Sequence, residues 1–352
     1  MINEFKFWNV GHGLFYTGHI SNSELNFIYD CGSSNKCSIL ELISDANLPD
    51  NFDFMVVSHL HKDHISGISG IREKIKKYYF PYIGENHIAE LIIANMIDRE
   101  GMSRDQYLEL FDNLCNISHD SDIFWDGQNL EISNYIGEYY SDKGYQIRKR
   151  ELSYNNWNFV LINQRMSEDR IRKLRDAIIS KLRILGADSI RDLVCEKGIK
   201  SVKEAYDEIL KKYEHNISST ILIHYPNSDY RNDDSSIHHT VLTGDVRFYA
   251  CQNNCIDGIL KGRRAVFQVP HHGSNDNWKS LSKSNFNKHI FVVPSLYNGK
   301  SPSRKTLREI KEYRNCNLHI IGRYMTCMAY HIPCISDCTG SEGRDILGKI
   351  EL

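Results

Sequence analysis

The sequence predicts an α/β protein in which two strand-rich halves flank a mainly helical stretch. Short apolar runs of strand length cluster at both ends of the chain. One of them, FDFMVVS (52–58), is continuous, as is typical of a strand buried on both faces. The segment at about 85–215 instead shows helix-like spacing and many charged side chains. No linker rich in Pro, Gly or Ser divides the chain, so we expect a single domain over 1–352 with an insertion at about 85–215.

The individual elements follow from the same patterns, taken in order along the chain. The predicted strands are 4–10, 14–20, 25–30, 52–58, 157–163, 221–225, 240–245, 265–270, 289–295 and 317–322. The predicted helices are 38–48, 83–115, two or three within 167–214, and 301–313. In the last of these, Ser301 suits the N-cap position and Pro302 the first turn. Gly11 and Gly13 suit a tight turn between the first two strands.

Composition and charge narrow the classes of function. Of the 352 residues, 41% are hydrophobic and 25% are charged, which is typical of a globular protein. The formal net charge of −2 provides no overall basic field, so nucleic-acid binding would need local basic patches. The N-terminus lacks the pattern of a signal peptide, and no apolar run reaches membrane-spanning length. We therefore expect a cytoplasmic protein with no membrane partner, in which the ten cysteines are mostly reduced.

The densest chemical signal is SHLHKDH at 58–64. His59 and His61 are two positions apart, so in an extended segment both imidazoles point to the same side. Asp63 and His64 follow where the chain turns, and they can reach a second point nearby. Imidazole and carboxylate groups bind zinc, and also manganese or iron. The cluster directly follows a predicted buried strand, where α/β sheets commonly place active sites, so we predict a metal centre there.

Two further polar groups follow later predicted strands. LTGD (242–245) ends in Asp245, and VPHHGS (269–274) contains His271 and His272. With Asp30 in IYDCGS and HxHxDH at 59–64, the pattern resembles the metallo-β-lactamase superfamily, and the matching motifs span 4 to about 322. The resemblance implies a four-layer αββα sandwich with a helical insertion.

The resemblance also implies a role for each matching residue. It implies two divalent ions, zinc or alternatively manganese, held by His59, His61, Asp63, His64, Asp245 and His272. Asp245 would bridge both ions, and Asp30 would support the ligand loop without binding metal. Of the histidine pair, His272 is the favoured ligand and His271 the neighbour that donates a hydrogen bond to the reacting group, although the reverse stays open. The catalytic candidates are therefore Asp63, Asp245 and His271, acting with a hydroxide shared by the ions.

Within the superfamily, the pattern is most similar to the ComEC-like (competence protein) domain, which carries VGQGD, a DxG turn, HxHxDH, TGD and PHHGS. Here the first motif reads VGHGL (10–14), so His12 and Leu14 replace the usual Gln and Asp. A third histidine for the first ion is not evident from spacing. The candidates are His87, His119, His224, His238 and His239. This sequence contains no ComEC membrane channel, so the resemblance implies no role in DNA uptake.

The expected activity is metal-dependent hydrolysis. The ComEC-like pattern favours a phosphodiesterase or nuclease acting on nucleic acid or a nucleotide. Basic patches at 148–150, 261–264 and 170–183 would suit such a substrate, although the last is more often a solvated helix face. The alternatives are an ester, lactam or cyclic-nucleotide hydrolase, or a silent binding module of the same fold. The insertion would act as a lid, a substrate element or a homo-oligomer surface.

Overall fold

Two β-sheets and their flanking helices make up the described part of the chain. The computed structural model describes residues 2–59, 61–79, 128–129, 145–166, 168–212, 219–227, 237–246, 255–275, 277–278, 289–295, 301–312, 317–321 and 327–333. The chain is a mixed α/β protein, which confirms the predicted class. Among these residues, none of the helices is both long and apolar enough to span a membrane.

The elements are numbered in chain order. The strands are β1 (Ile2–Trp8), β2 (Phe15–Ile20), β3 (Leu25–Cys31), β4 (Phe54–Val56), β5 (Tyr78–Tyr79), β6 (Gln128–Asn129), β7 (Tyr145–Tyr154), β8 (Trp157–Met166), β9 (Thr220–Pro226), β10 (His239–Leu242), β11 (Ala265–Gln268), β12 (Ile290–Pro294), β13 (Asn317–Ile321) and β14 (Cys327–Pro333). The α-helices are α1 (Lys36–Asp45), α2 (Lys62–Ile65), α3 (Ile68–Ile71), α4 (Glu168–Leu185), α5 (Ile190–Lys197), α6 (Ile199–Lys212), α7 (Cys255–Leu260) and α8 (Arg304–Glu312). Short 3-10 turns cover Arg72–Lys74 and His271–Gly273.

The order of the strands places several carboxyl ends side by side. The first sheet has the order β14-β1-β2-β3-β4-β5, and the second has the order β13-β12-β11-β10-β9-β8-β7-β6. The strands β3, β4 and β5 are parallel to one another, as are β10, β11, β12 and β13. The HxHxDH loop follows β4, whereas Asp245 and the histidine pair follow β10 and β11. The carboxyl ends of parallel strands in the two sheets thus bring together residues that are distant in sequence.

Side chains alternate between the two faces of each strand, and this alternation divides the core into three apolar clusters. On β4, Phe54 and Val56 pack into a cluster shared by both sheets, while Met55 packs into the cluster on the other face. That outer cluster also contains side chains of α1 and of α4 to α6. On β9, Leu222 joins the shared cluster and Ile223 joins a third cluster with α7 and α8. Because β4 is buried on both faces, its sequence reads as a continuous apolar run.

The structure shifts the predicted start of the last helix. Helix α8 begins at Arg304, and the Ser303 hydroxyl accepts a 3.0 Å hydrogen bond from the Thr306 amide. Ser303 is therefore the N-cap, so the prediction of Ser301 with Pro302 in the first turn was wrong by two residues. Ser301 and Ser303 are both residue types that suit an N-cap, but the hydrogen bond from the Thr306 amide shows that Ser303 has this role.

The predicted insertion at 85–215 includes residues of the second sheet. Strands β7 and β8 pair along their whole lengths, and β8 also pairs with β9. The helices α4, α5 and α6 follow, in agreement with the two or three helices predicted for 167–214. The predicted helix at 83–115 lies outside the described residues.

His224 on β9 lies in the core between the sheets and does not face the predicted metal loop. Its Nε2 is 2.8 Å from the Tyr16 hydroxyl, and its Nδ1 accepts a 3.3 Å hydrogen bond from Trp157. The side chain is fully buried, and this burial lowers the pKa of His224 to about 3. This candidate for the third ligand is therefore a neutral core histidine.

This burial predicts a contribution to acid destabilisation. Below its usual pKa of 6.5, His224 takes up a proton in the unfolded chain but not in the folded one until about pH 3. Stability is therefore lost as the pH falls through this window, by up to about 1.4 kcal/mol per pH unit. We expect His224→Gln to flatten the pH dependence of the urea-unfolding free energy between pH 6 and 4. His19→Gln, on the partly exposed side of β2, is the control; equal slopes for wild type and His224→Gln would contradict the prediction.

Candidate metal centre

The buried Asp30 carboxylate stabilises the HxHxDH loop through contacts with Ser58 and His64. Its Oδ1 accepts a 2.6 Å hydrogen bond from the Ser58 amide, and its Oδ2 accepts one of 2.6 Å from the Ser58 hydroxyl. The same Oδ2 lies 2.7 Å from His64 Nδ1. All three residues are completely buried. One carboxylate thus ties the start of the loop to its end, which is the supporting role expected of Asp30.

Two glycine turns pack directly against this loop. The Leu14 amide donates a 2.9 Å hydrogen bond to the Asp63 carbonyl, and the Gly32 amide donates one of 2.9 Å to the Leu14 carbonyl. A Cβ atom on Gly13 would lie 2.8 Å from the Asp63 carbonyl oxygen, and one on Gly32 would lie 2.3 Å from the His64 amide nitrogen. Only glycine allows this close approach, so both turns fix the position of the loop backbone.

One oxygen of Asp245 faces three imidazoles. Asp245 Oδ2 lies 3.4 Å from His59 Nε2, 3.9 Å from His61 Nδ1 and 3.5 Å from His271 Nε2. These four residues are called the Oδ2 group below. Asp245 is 1% exposed, and the peptide carbonyl of the same residue accepts a 2.7 Å hydrogen bond from Asn277 Nδ2.

The other oxygen of Asp245 faces a second set of side chains. Asp245 Oδ1 lies 3.3 Å from His64 Nε2, which in turn is 4.0 Å from Asp63 Oδ1. Asp63 Oδ2 lies 2.9 Å from His272 Nε2. Asp63, His64, His272 and Asp245 are called the Oδ1 group. The two groups together bring all seven of the predicted site residues to one place, and Asp245 stands between them.

Oxygen acceptors orient four of these histidines. The pairs are His59 Nδ1 with Ser58 Oγ (2.9 Å), His64 Nδ1 with Asp30 Oδ2 (2.7 Å), His271 Nδ1 with Asn277 Oδ1 (2.9 Å) and His272 Nδ1 with the Pro294 carbonyl (2.7 Å). Ser58 donates its own proton to Asp30, and Asn277 donates its amide to a carbonyl, so each accepts from its histidine. The Nδ1 atoms therefore carry protons, and each Nε2 atom presents a lone pair to the centre when its imidazole is neutral.

The centre consequently places acceptors opposite acceptors. Within the described part of the chain, His59 Nε2, His64 Nε2 and Asp245 Oδ1 are buried and make no hydrogen bond. Leaving a buried polar atom unpaired costs about 1–3 kcal/mol, and a proton or a metal ion bound between these atoms would remove that cost. The ligand atoms of these three residues lie within 4.8 Å of one another. Two ligands of one tetrahedral zinc ion lie about 3.4 Å apart, close to the spacing found here, so the residues fit a divalent metal.

The electrostatics of these side chains point to competition between protons and a metal ion. Burial alone would lower the pKa of His64 and of His272, but neighbouring carboxylates raise both above the usual value. Burial lowers the pKa of His59 and of His61. Burial would raise the pKa of Asp63, but the charge of His64 holds it below its usual range. A cation bound among these groups would replace the protons on the first two histidines.

The histidine pair has unusual backbone geometry. His271 and His272 have φ angles of 48° and 53°, in the left-handed region that costs a non-glycine residue about 1–3 kcal/mol. The His271 amide donates a 3.0 Å hydrogen bond to the Gly244 carbonyl, which ties the turn to the strand end that carries Asp245. This conformation directs the first imidazole into the Oδ2 group and the second into the Oδ1 group. The sequence favoured one ligand of the two, whereas in the structure both imidazoles face the centre.

The other candidates for a third histidine lie elsewhere. His238 and His239 stand at the amino end of β10, whereas Asp245 follows its carboxyl end. His238 Nε2 is 2.7 Å from the Arg263 guanidinium. His87 and His119 lie outside the described residues. The sequence reasoning missed Asn277 and Pro294, because no spacing rule connects either of them to a histidine that they orient.

Comparison with known proteins adds no family assignment. The sequence matches no protein-family model, and it matches no curated protein. A function for this chain therefore has to come from the chemistry of the site.

Proposed function

We propose that this chain is a metal-dependent hydrolase of the metallo-β-lactamase superfamily and that it acts on phosphodiesters. The observation that carries the proposal is the set of buried imidazole nitrogens around the Asp245 carboxylate that make no hydrogen bond among the described residues, an arrangement that a bound divalent cation would satisfy. The order of the sequence motifs supports the superfamily. We further propose that the two sheets and their flanking helices form its four-layer αββα sandwich, as the three apolar clusters suggest.

The two groups divide the ligands between two ions. The Oδ2 group would hold one divalent ion through His59, His61, His271 and Asp245. The Oδ1 group would hold the other through Asp63, His64, His272 and Asp245. Zinc suits this set because imidazole nitrogens outnumber the carboxylates, and manganese remains the alternative. His271 is better placed as a ligand than as a proton donor, since Asn277 engages its Nδ1 proton and its Nε2 faces Asp245 Oδ2.

When bound, the two ions would supply charge stabilisation at phosphorus and activation of water. Side chains of the protein would position the attacking water. Asp63 is more exposed than Asp245, with 13% against 2% of the side chain accessible, so it is the carboxylate placed to orient the attacking water, whose proton passes to solvent. The water oxygen forms a bond to phosphorus, and the bond from phosphorus to the leaving oxygen breaks. The leaving oxygen then takes up a proton, giving a phosphomonoester and an alcohol.

Two of the three basic patches give no support to a long polymer as substrate. Arg263 in the 261–264 patch binds His238 at the amino ends of β10 and β11, the edge opposite the centre. On α4, Arg172 pairs with Asp169 on the exposed surface, as expected of a solvated helix face. A nucleotide or cyclic nucleotide therefore fits the described residues better than duplex DNA. A nuclease activity stays an outcome that the following test resolves.

The test is turnover with defined metals. We expect wild-type protein loaded with zinc or manganese to hydrolyse bis-p-nitrophenyl phosphate and at least one of a cyclic nucleotide, single-stranded DNA and duplex DNA. Asp63→Ala/His64→Ala should lose at least about 10³-fold in rate, and the control His19→Gln should not. Two bound ions without cleavage of any phosphodiester would refute the phosphodiesterase. In that case ester and lactam substrates, and then a silent binding module, become the leading alternatives.

A further inference from the structure

The VGHGL turn at 10–14 brings one more histidine to the Oδ1 group. His12 Nε2 lies 3.8 Å from Asp63 Oδ2, and the His12 ring centroid is 4.2 Å from that of His272. The potential ligand atoms of these three residues lie within 4.8 Å of one another. Gly13, the next residue, packs against the Asp63 backbone, so the turn that carries His12 is fixed relative to the ligand loop.

His12 is oriented in the same way as the other histidines of the centre. Its Nδ1 lies 3.4 Å from Ser295 Oγ, and that hydroxyl donates to the Ser301 carbonyl. The serine therefore accepts from His12, which leaves the Nε2 lone pair directed at the Oδ1 group. The His12 carbonyl accepts a 2.7 Å hydrogen bond from the Ser34 amide, which holds the backbone as well. An imidazole that only contacted solvent would need none of these constraints.

We propose that His12 is an additional ligand of the ion held by the Oδ1 group and that it makes this position selective for zinc over manganese. The inference rests on the proposed two-metal centre. With His12, this ion has three imidazoles beside Asp63 and Asp245. Imidazole-rich sites favour zinc, whereas carboxylate and water ligands suit manganese. The His12 side chain is 25% exposed, so it forms the outer wall of the ligand set.

The test measures metal binding directly in the full chain after treatment with a chelator. Zinc and manganese are titrated calorimetrically into wild type, His12→Gln and the control His19→Gln. We expect the His12 variant to bind one zinc ion with unchanged affinity and the other about 10- to 100-fold more weakly, with a smaller change for manganese. The visible absorption of the second cobalt(II) equivalent should also change. Ser295→Ala, which keeps the imidazole but removes its acceptor, should weaken the same position to a smaller degree.

Three outcomes separate this inference from the proposed function. Loss of zinc affinity at one position only, with the cobalt(II) change, supports His12 as a ligand. Two unchanged zinc affinities and an unchanged cobalt(II) spectrum in His12→Gln overturn the inference but leave the two-metal centre standing. Failure of the wild type to bind zinc overturns both. Urea unfolding of each metal-free variant checks that the fold is intact.

Discussion

Asp245→Asn is expected to release both metal ions and to abolish hydrolysis. The two carboxylate oxygens of Asp245 face the Oδ2 and Oδ1 groups separately, and the nearest imidazole nitrogens are 3.3–3.5 Å away. An amide keeps the shape but replaces one oxygen by a donor and removes the charge. Zinc affinity should therefore fall by more than about 100-fold at both positions, which exceeds the usual effect of an outer contact. Turnover should fall by at least about 10³-fold.

Calorimetric titration of zinc into the metal-free protein measures the first effect. Asp53→Asn is the control, because it makes the same change at a carboxylate that accepts a hydrogen bond from the Asn26 amide but lies away from the centre. Retention of one zinc ion at wild-type affinity in Asp245→Asn would mean that Asp245 serves only one of the two groups.

Asp30→Ala is expected to cost both stability and metal affinity. The variant leaves the Ser58 amide, the Ser58 hydroxyl and His64 Nδ1 without their buried acceptor. Breaking a buried, hydrogen-bonded charge pair costs about 3–5 kcal/mol, so the free energy of unfolding of the metal-free protein should fall by about that amount. Zinc affinity should fall about 10- to 100-fold, because the loop and the His64 tautomer lose their support.

Urea unfolding and zinc titration together separate the two effects. Asp30→Asn retains one acceptor oxygen, so we expect it to lie between wild type and Asp30→Ala in both measurements. Wild-type stability in Asp30→Ala would show that the loop is held by its backbone packing against Gly13 and Gly32 instead.

The sequence could predict which side chains lie near one another, because the candidate ligands follow strand ends. The run 52–58 indicated a doubly buried strand, and the structure places β4 there with His59 and His64 just after it. Asp245 and His272 follow β10 and β11 in the same way. A local pattern sufficed in each case, because each candidate ligand directly follows a buried parallel strand of one of the two sheets.

Contacts between distant segments were beyond the reach of local patterns. The pairing of β14 with β1 joins the two ends of the described chain, and no local period indicates it. Asn277 orients His271 from a loop, and Ser295 orients His12 from the end of β12. His224 looked like a candidate ligand by residue type alone, yet the inter-sheet core surrounds it. Residue type identified the candidate ligands, whereas only tertiary contacts identified the residues that orient their imidazoles.

In the proposed centre, two divalent ions lie on either side of the Asp245 carboxylate. Anomalous X-ray scattering at the zinc absorption edge, from crystals of zinc-loaded protein, would locate them. We predict two anomalous peaks about 3.5–4 Å apart, one beside His59 and one beside His64. Absence of any peak at this carboxylate, or a peak only elsewhere in the molecule, would contradict the two-metal centre and the hydrolase proposed from it.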